Sequence, residues 1–225
     1  MKYISYILAN FNLHRMPFRL LSAKNAKSDL IETVAGGMMY RILKLVGLAG
    51  CAAAVGLGTY LFAIQASGNF AEVVPGVLYR SNQPTALQVA DYAQRYGIKT
   101  IVNLRGSGED AAWYKNEVAA ARALGIKHVD FKMVASKQLT VEDSHRLVAL
   151  LRDAPKPILI HCKSGADRTG LASVIYLNRI AGVDEDIAER QLSIRFGHFS
   201  IPFLSPTYAM DENWEMLEKV YGLSG

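Results

Sequence analysis

The chain has 225 residues, 51% hydrophobic and 20% charged, which suits one ordinary domain with an appendage and is too apolar for a disordered chain. Its net charge of +5 belongs wholly to the N-terminal part: residues 1–67 carry seven basic and two acidic residues, which leaves 18 of each sign from the totals of 25 and 20. The remainder is therefore neutral, which excludes nucleic acid as a general partner, since such a surface shows as a basic domain. Two cysteines, Cys51 and Cys162, make no disulfide framework, and five scattered histidines offer no zinc spacing, so no cofactor or metal is implied.

Taken in chain order, the first feature is an uncharged run of twenty residues from Leu45 to Ile64. As a helix it would be about 30 Å long, enough to cross a hydrocarbon core, and it lacks the polar face of a buried core helix. Arg41 and Lys44 precede it and no charge follows until Glu72, so the positive-inside bias keeps the N-terminus in the cytoplasm and exports the rest. We read residues 1–44 as a cytoplasmic segment, 45–66 as an uncleaved single-pass anchor, and 70–225 as an exported, extracytoplasmic or periplasmic domain. A cleaved signal peptide ending near Ala66 is the alternative, and a start at Met38 or Met39 would give a compact signal-like N-terminus.

Beyond Phe70, strand-like and helix-like stretches alternate. A short strand is expected over Val77–Arg80 after the Pro75-Gly76 turn, then a helix from Pro84 to Tyr96 stopped by Gly97. A strand over Thr100–Leu104, a helix over Ala111–Leu124 and a strand over His128–Met133 follow. Thr140 with Asp143 reads as a capping box for a helix to Arg152, and Pro157–His161 as a fully buried strand. Helices are expected over Thr169–Ile180, Asp184–Phe196 and Pro206–Tyr221. This order predicts a single α/β domain with a central, mostly parallel sheet flanked by helices on both faces, preceded by the transmembrane helix.

The informative stretch is His161-Cys162-Lys163-Ser164-Gly165-Ala166-Asp167-Arg168-Thr169-Gly170. A thiolate that attacks a phosphate monoester must be ionised near neutral pH, and the three non-bridging oxygens must be held by fixed donors. A loop leaving a buried strand and entering a helix points its backbone N–H groups inward, and the positive helix end favours both thiolate and phosphate dianion. Cys162 is then the nucleophile, and Arg168 adds a planar bidentate contact to two oxygens. Gly165 admits the backbone angles of such a cradle, residues Lys163, Ser164, Gly165, Ala166, Asp167 and Arg168 bind phosphate, and Thr169 offers a hydroxyl to the departing sulfur.

With its strand, helix and flanking residues, His161 to Thr169 resembles the signature of the protein tyrosine and dual-specificity phosphatase superfamily. Gly76-Val77-Leu78-Tyr79-Arg80-Ser81 and Pro84 resemble the first strand of its compact members with dual-specificity-like folds, so the resemblance spans roughly Phe70 to Tyr221. It implies a cofactor-free hydrolase working through a phospho-cysteine, acting on phosphorylated protein or a small phosphomonoester, with His161 supporting loop geometry. One part departs from the pattern. The family's proton donor is an Asp about thirty residues before the Cys, and the segment Val134 to Leu139 holds no carboxylate. Asp167 within the loop, as in phosphoinositide phosphatases of the myotubularin and Sac types, is the favoured substitute. Asp130, 32 positions before Cys162, is the second, and Glu142 or Asp143 a third. A weak acid would tilt the chain toward aryl leaving groups such as phosphotyrosine.

Trp113-Tyr114 reads as core packing more readily than as a substrate wall, while Arg80, Arg105 and Lys137 are candidates for the entrance; His198 has no assignable role. Two rivals stay open: a phosphoinositide or inositol phosphate phosphatase, suggested by Lys163 and Asp167, and a silent module that docks phosphorylated partners.

Overall fold

The structure is a computed structural model and describes residues 23–223. The first half of the expected cytoplasmic segment lies outside the described residues. Contacts divide the chain between Leu57 and Gly58 into two compact units. A helix, α1 (Ala23–Ala66), is more than twice the length of the uncharged run, and 33 of its residues, Val34–Ala66, are long and apolar enough to be a candidate membrane span. Its side chains from Val34 to Tyr60 are exposed.

From Gly58 onward the chain is one α/β domain. Five strands, β1 (Ala71–Val74), β2 (Leu78–Ser81), β3 (Thr100–Asn103), β4 (Lys127–Asp130) and β5 (Ile158–His161), form a sheet in the order β1-β2-β5-β3-β4. β2, β5, β3 and β4 are parallel, and β1 pairs antiparallel with β2. The sheet is thus mixed: the antiparallel edge strand, too short and too irregular in pattern to read from sequence, was not expected. β2, β3 and β5 are buried at every position, as the apolar stretch of β5 led us to expect for that strand.

Alternate residues of these strands feed two cores. Leu78, Val102, Ile158 and Ile160 pack under α4 (Val141–Asp153), α5 (Asp167–Arg179) and α7 (Ala209–Tyr221), with Leu147, Leu171, Ile175 and Trp214 among the partners. Tyr79, Ile101 and Leu159 pack on the other face under α2 (Ala86–Tyr96) and α3 (Ala112–Ala123).

Local chemistry sets the helix ends. Thr85 and Gln88 cap α2 reciprocally and Gly97 closes it in the left-handed region. Thr140 accepts from the Asp143 N–H at 3.0 Å, and its hydroxyl donates to the Asp143 carboxylate. Two expected elements differ. The helix expected over Asp184–Phe196 breaks into α6 (Glu185–Glu189) and a 3₁₀ turn, Ile194–Phe196. The strand expected to Met133 ends at Asp130, because the pairing of β4 with β3 stops with Asn103.

Candidate active site

The loop from Cys162 to Ala166 leaves β5, the middle strand, and enters α5, so it sits at the carboxyl end of the parallel strands where ligand sites of open α/β sheets form. Its geometry follows from where its carbonyls go. The Lys163 carbonyl accepts from the Gln83 N–H at 3.3 Å. The Ser164 carbonyl accepts from the Gln65 and Asn69 side-chain amides at 2.8 and 2.9 Å. The Gly165 and Ala166 carbonyls accept from Arg80 Nη2 at 2.7 and 3.3 Å. Four successive carbonyls bonded to groups behind the loop leave the opposite side to the amides, the arrangement of an anion nest. Gly165 is indispensable here: its φ is +72°, and a Cβ would stand 2.7 Å from the Ser81 carbonyl and the Asn82 nitrogen.

Cys162 is buried at the base of this loop. Arg168, in the first turn of α5, leans one Nη toward the carbonyls of Leu104 and Met133 at 3.5 and 3.4 Å, while its buried Nε finds no hydrogen-bond partner among the described residues. The Thr169 hydroxyl is likewise buried without a partner among the described residues. Lys163 is exposed at the mouth and Ser164 half-buried.

Of the three cations considered for the entrance, the structure moves Arg80. It is fully buried beneath the loop, with Nη1 donating to the Gln191 carbonyl at 2.9 Å and side chain at 2.7 Å, and its guanidinium 3.8 Å from the Phe196 ring centre. Burial pushes it down to about 9, with attraction to Cys162 and Asp167 partly offsetting, so it is charged at neutral pH. Arg105 does stand by the site. Burial and then repulsion from Arg168 lower its pKa, and attraction to Cys162 opposes this. Arg105 is stacked 3.5 Å over Trp113 and donates to Gln83 Oε1 at 2.8 Å. Trp113 and Tyr114 are half-buried rather than core residues: Trp113 lies under the Arg105 guanidinium, and Tyr114 packs edge-on against Trp113 and His128. Lys137 is exposed in the segment between β4 and α4.

His161 is fully buried and its Nε2–H donates to Glu117 Oε1 at 2.9 Å. Glu117, buried in the middle of α3, also accepts from His128 Nε2 at 2.8 Å and from the Gln83 side chain. Burial alone would raise its pKa; the bonds from His128, His161 and Gln83 outweigh this and hold it at about 2, an ionised carboxylate at neutral pH. Sequence reasoning missed Glu117. Its signal was a carboxylate four residues before Ala121 on the buried face of an amphipathic helix.

Neither candidate proton donor points freely at the loop. Asp167 accepts from His198 Nδ1 at 2.8 Å. Asp130, exposed at the end of β4, accepts from Asn103 Nδ2 at 2.8 Å and from the Tyr114 hydroxyl at 2.5 Å. That bond is the main cause of Tyr114 being pushed up to about 12. The Asp143 carboxylate accepts from the hydroxyl of Thr140, the N-cap of α4, at 3.0 Å and pairs with Arg146 at 2.9 Å.

Residues 63–190, more than half of the chain, match the tyrosine phosphatase family. The dual specificity protein phosphatase TpbA of Pseudomonas aeruginosa PAO1 is 34% identical over 131 residues, 58% of this chain and 56% of that protein, so the chain spans a little over half the length of the curated relative. A crystal structure of P. aeruginosa TpbA in complex with phosphotyrosine is 29% identical over 58% of this chain and 76% of that one, with a TM-score of 0.45. A DUF442 protein of Shewanella putrefaciens CN-32 shares the fold over 68% of this chain and 93% of its own at 17% identity and a TM-score of 0.51. The loop with its buried cysteine, the arginine in the first turn after it, and a family match that covers both place this chain in the tyrosine phosphatase family.

Proposed function

We propose that this chain is a phosphomonoester hydrolase acting through a phospho-cysteine, on phosphotyrosine or related phosphoryl groups in proteins. The observation that carries the reading is the loop itself: four carbonyls bonded outward, a buried Cys162 at its base, and the Nε of Arg168 beside it, without a partner among the described residues. In this mechanism the Cys162 thiolate attacks phosphorus in line, the P–S bond forms as the P–O bond to the leaving group breaks, and loop amides with Arg168 hold the equatorial oxygens. Water then displaces the sulfur, releasing phosphate, with Thr169 as hydrogen-bond donor to the departing thiolate. Glu117 orients His161 and Arg80 fixes the loop carbonyls; both are positioning residues.

For proton donation, we infer that neither Asp167 nor Asp130 serves, because each is engaged as an acceptor: Asp167 by an imidazole, Asp130 by a phenol and an amide. The reaction then favours leaving groups that depart as stable anions, aryl above alkyl. TpbA carries the name of a dual specificity phosphatase and has been crystallised with phosphotyrosine, in keeping with this class.

The test is hydrolysis of a small aryl phosphate by the full chain in detergent. Turnover that vanishes in Cys162→Ser supports the proposal. A folded but inactive wild type overturns it and leaves a phosphate-binding module as the reading. Arg105 beside Arg168, with Lys163 at the mouth, favours a second substrate class with more than one phosphate, such as inositol phosphates. Preference for these over a phosphotyrosyl peptide, lost in Arg105→Gln, would support that class. We further propose that residues 45–66 span a membrane, with 1–44 cytoplasmic and the domain from residue 70 exported; the exposed apolar helix and the flanking charges support this.

A further inference from the structure

His198 is a buried titratable group that takes no part in the chemistry above. It follows the 3₁₀ turn Ile194–Phe196, and its side chain is 3% exposed. Nδ1 donates to Asp167 Oδ1 at 2.8 Å, and Nε2 donates to Asp211 Oδ2 at 3.0 Å. A carboxylate accepts and does not donate, so both ring nitrogens carry protons and the group is an imidazolium. The two acids belong to different elements: Asp167 opens α5, directly after the phosphate loop, and Asp211 lies in the first turn of α7. Around them, Arg80 of β2 faces Asp167 and Glu189 of α6 faces Asp211.

We propose that His198 is a positioning residue for the phosphate loop, an imidazolium latch that ties the first turn of α5 to α7 through Asp167 and Asp211. Asp167 is the immediate neighbour of Arg168, so the latch fixes the backbone from which the phosphate clamp projects. A displacement of about 1 Å in such a group is enough to cost a large factor in rate. Removing the proton would set a bare ring nitrogen against a carboxylate oxygen and open the latch.

The sign of the pH effect follows. Burial opposes the charge, but the bonds to Asp167 and Asp211 outweigh it and raise the pKa from 6.5 to about 9. The stabilisation is complete below the unfolded value and is lost as pH rises through about 9.

Two measurements on the full chain in detergent test this, and only the second rests on the hydrolase reading. In a ¹⁵N-histidine NMR titration, His198 should be doubly protonated at pH 7 with a midpoint near 9, and Asp211→Asn should lower that midpoint by a unit or more. A midpoint near 6.5 overturns the latch, whether or not the chain is active. In pH profiles on an aryl phosphate, His198→Gln should lower kcat about tenfold at pH 7, the equivalent of about 1.4 kcal/mol, with a smaller change in KM. Other groups can also limit the rate at alkaline pH, so the decisive feature is the shift between variants. Asp211→Asn should move the alkaline fall in kcat to lower pH at an unchanged circular dichroism spectrum. Should His198→Gln fail to fold, Asp211→Asn carries the same test. An alkaline limb identical to wild type in every folded variant overturns the proposal.

Discussion

At the residue scale, the site is governed by three buried charges, each solved differently. Arg80 is matched by loop carbonyls and by the Cys162 and Asp167 charges, His198 by two acids, and Glu117 by two imidazoles and an amide. Glu117 makes a direct prediction. Its pKa is depressed from 4.5 to about 2, so its contribution to stability is present above 4.5 and is lost as pH falls through 2. Acid unfolding followed by circular dichroism should be steeper in wild type than in Glu117→Gln over that window. The variant should also be less stable at pH 7 by a few kcal/mol, since it weakens bonds to a buried charge. Asp167 makes another. If it serves the latch, Asp167→Asn slows aryl phosphates of every leaving-group basicity by the same factor. A proton donor would instead show a loss that grows with leaving-group basicity, and a series of substituted phenyl phosphates separates the two.

At the element scale, the loop depends on close approach between backbones. Gly165 lies against the end of β2, and a methyl group there would have to displace main chain rather than a flexible side chain. Gly165→Ala should therefore abolish turnover and phosphate binding while leaving most of the sheet folded, as judged by circular dichroism and by isothermal titration with inorganic phosphate. Gly170, one turn into α5, admits Leu192 and the Gln191 carbonyl, which brings the segment after α6 under the loop and lets Gln191 meet Arg80. Two helix boundaries were legible because they rest on local chemistry, Thr140 with Asp143 and the stop at Gly97; the Thr85–Gln88 cap, which starts α2 at Ala86 rather than at Pro84, was not read. Asp184–Phe196 was not. Its apolar spacing fits a helix, but the chain turns at Arg190 to Ser193 to meet α5 and Arg80, a demand made by residues far away in sequence.

At the scale of the whole molecule, the apolar helix makes its own prediction. Expressed in a bacterium, the full chain should stay with the membrane pellet after alkaline carbonate, and protease added to spheroplasts should reach the domain from residue 70 onward. Release by carbonate would remove the span, and a protected domain would reverse the topology. The α/β order, the buried strand β5 and the Cys162-to-Arg168 loop were legible without the fold, because periodicity and motif spacing are properties of neighbours along the chain. It also exposed the lack of a carboxylate between Val134 and Leu139. What surrounds the loop became visible with the fold: Arg80 beneath it rather than at its entrance, Glu117 behind His161, and His198 between Asp167 and Asp211. These partners lie between 13 and 111 positions apart, and nothing in local pattern links them. They meet because burying a charge is costly unless another group compensates it, and the packed fold is what brings the compensating groups together.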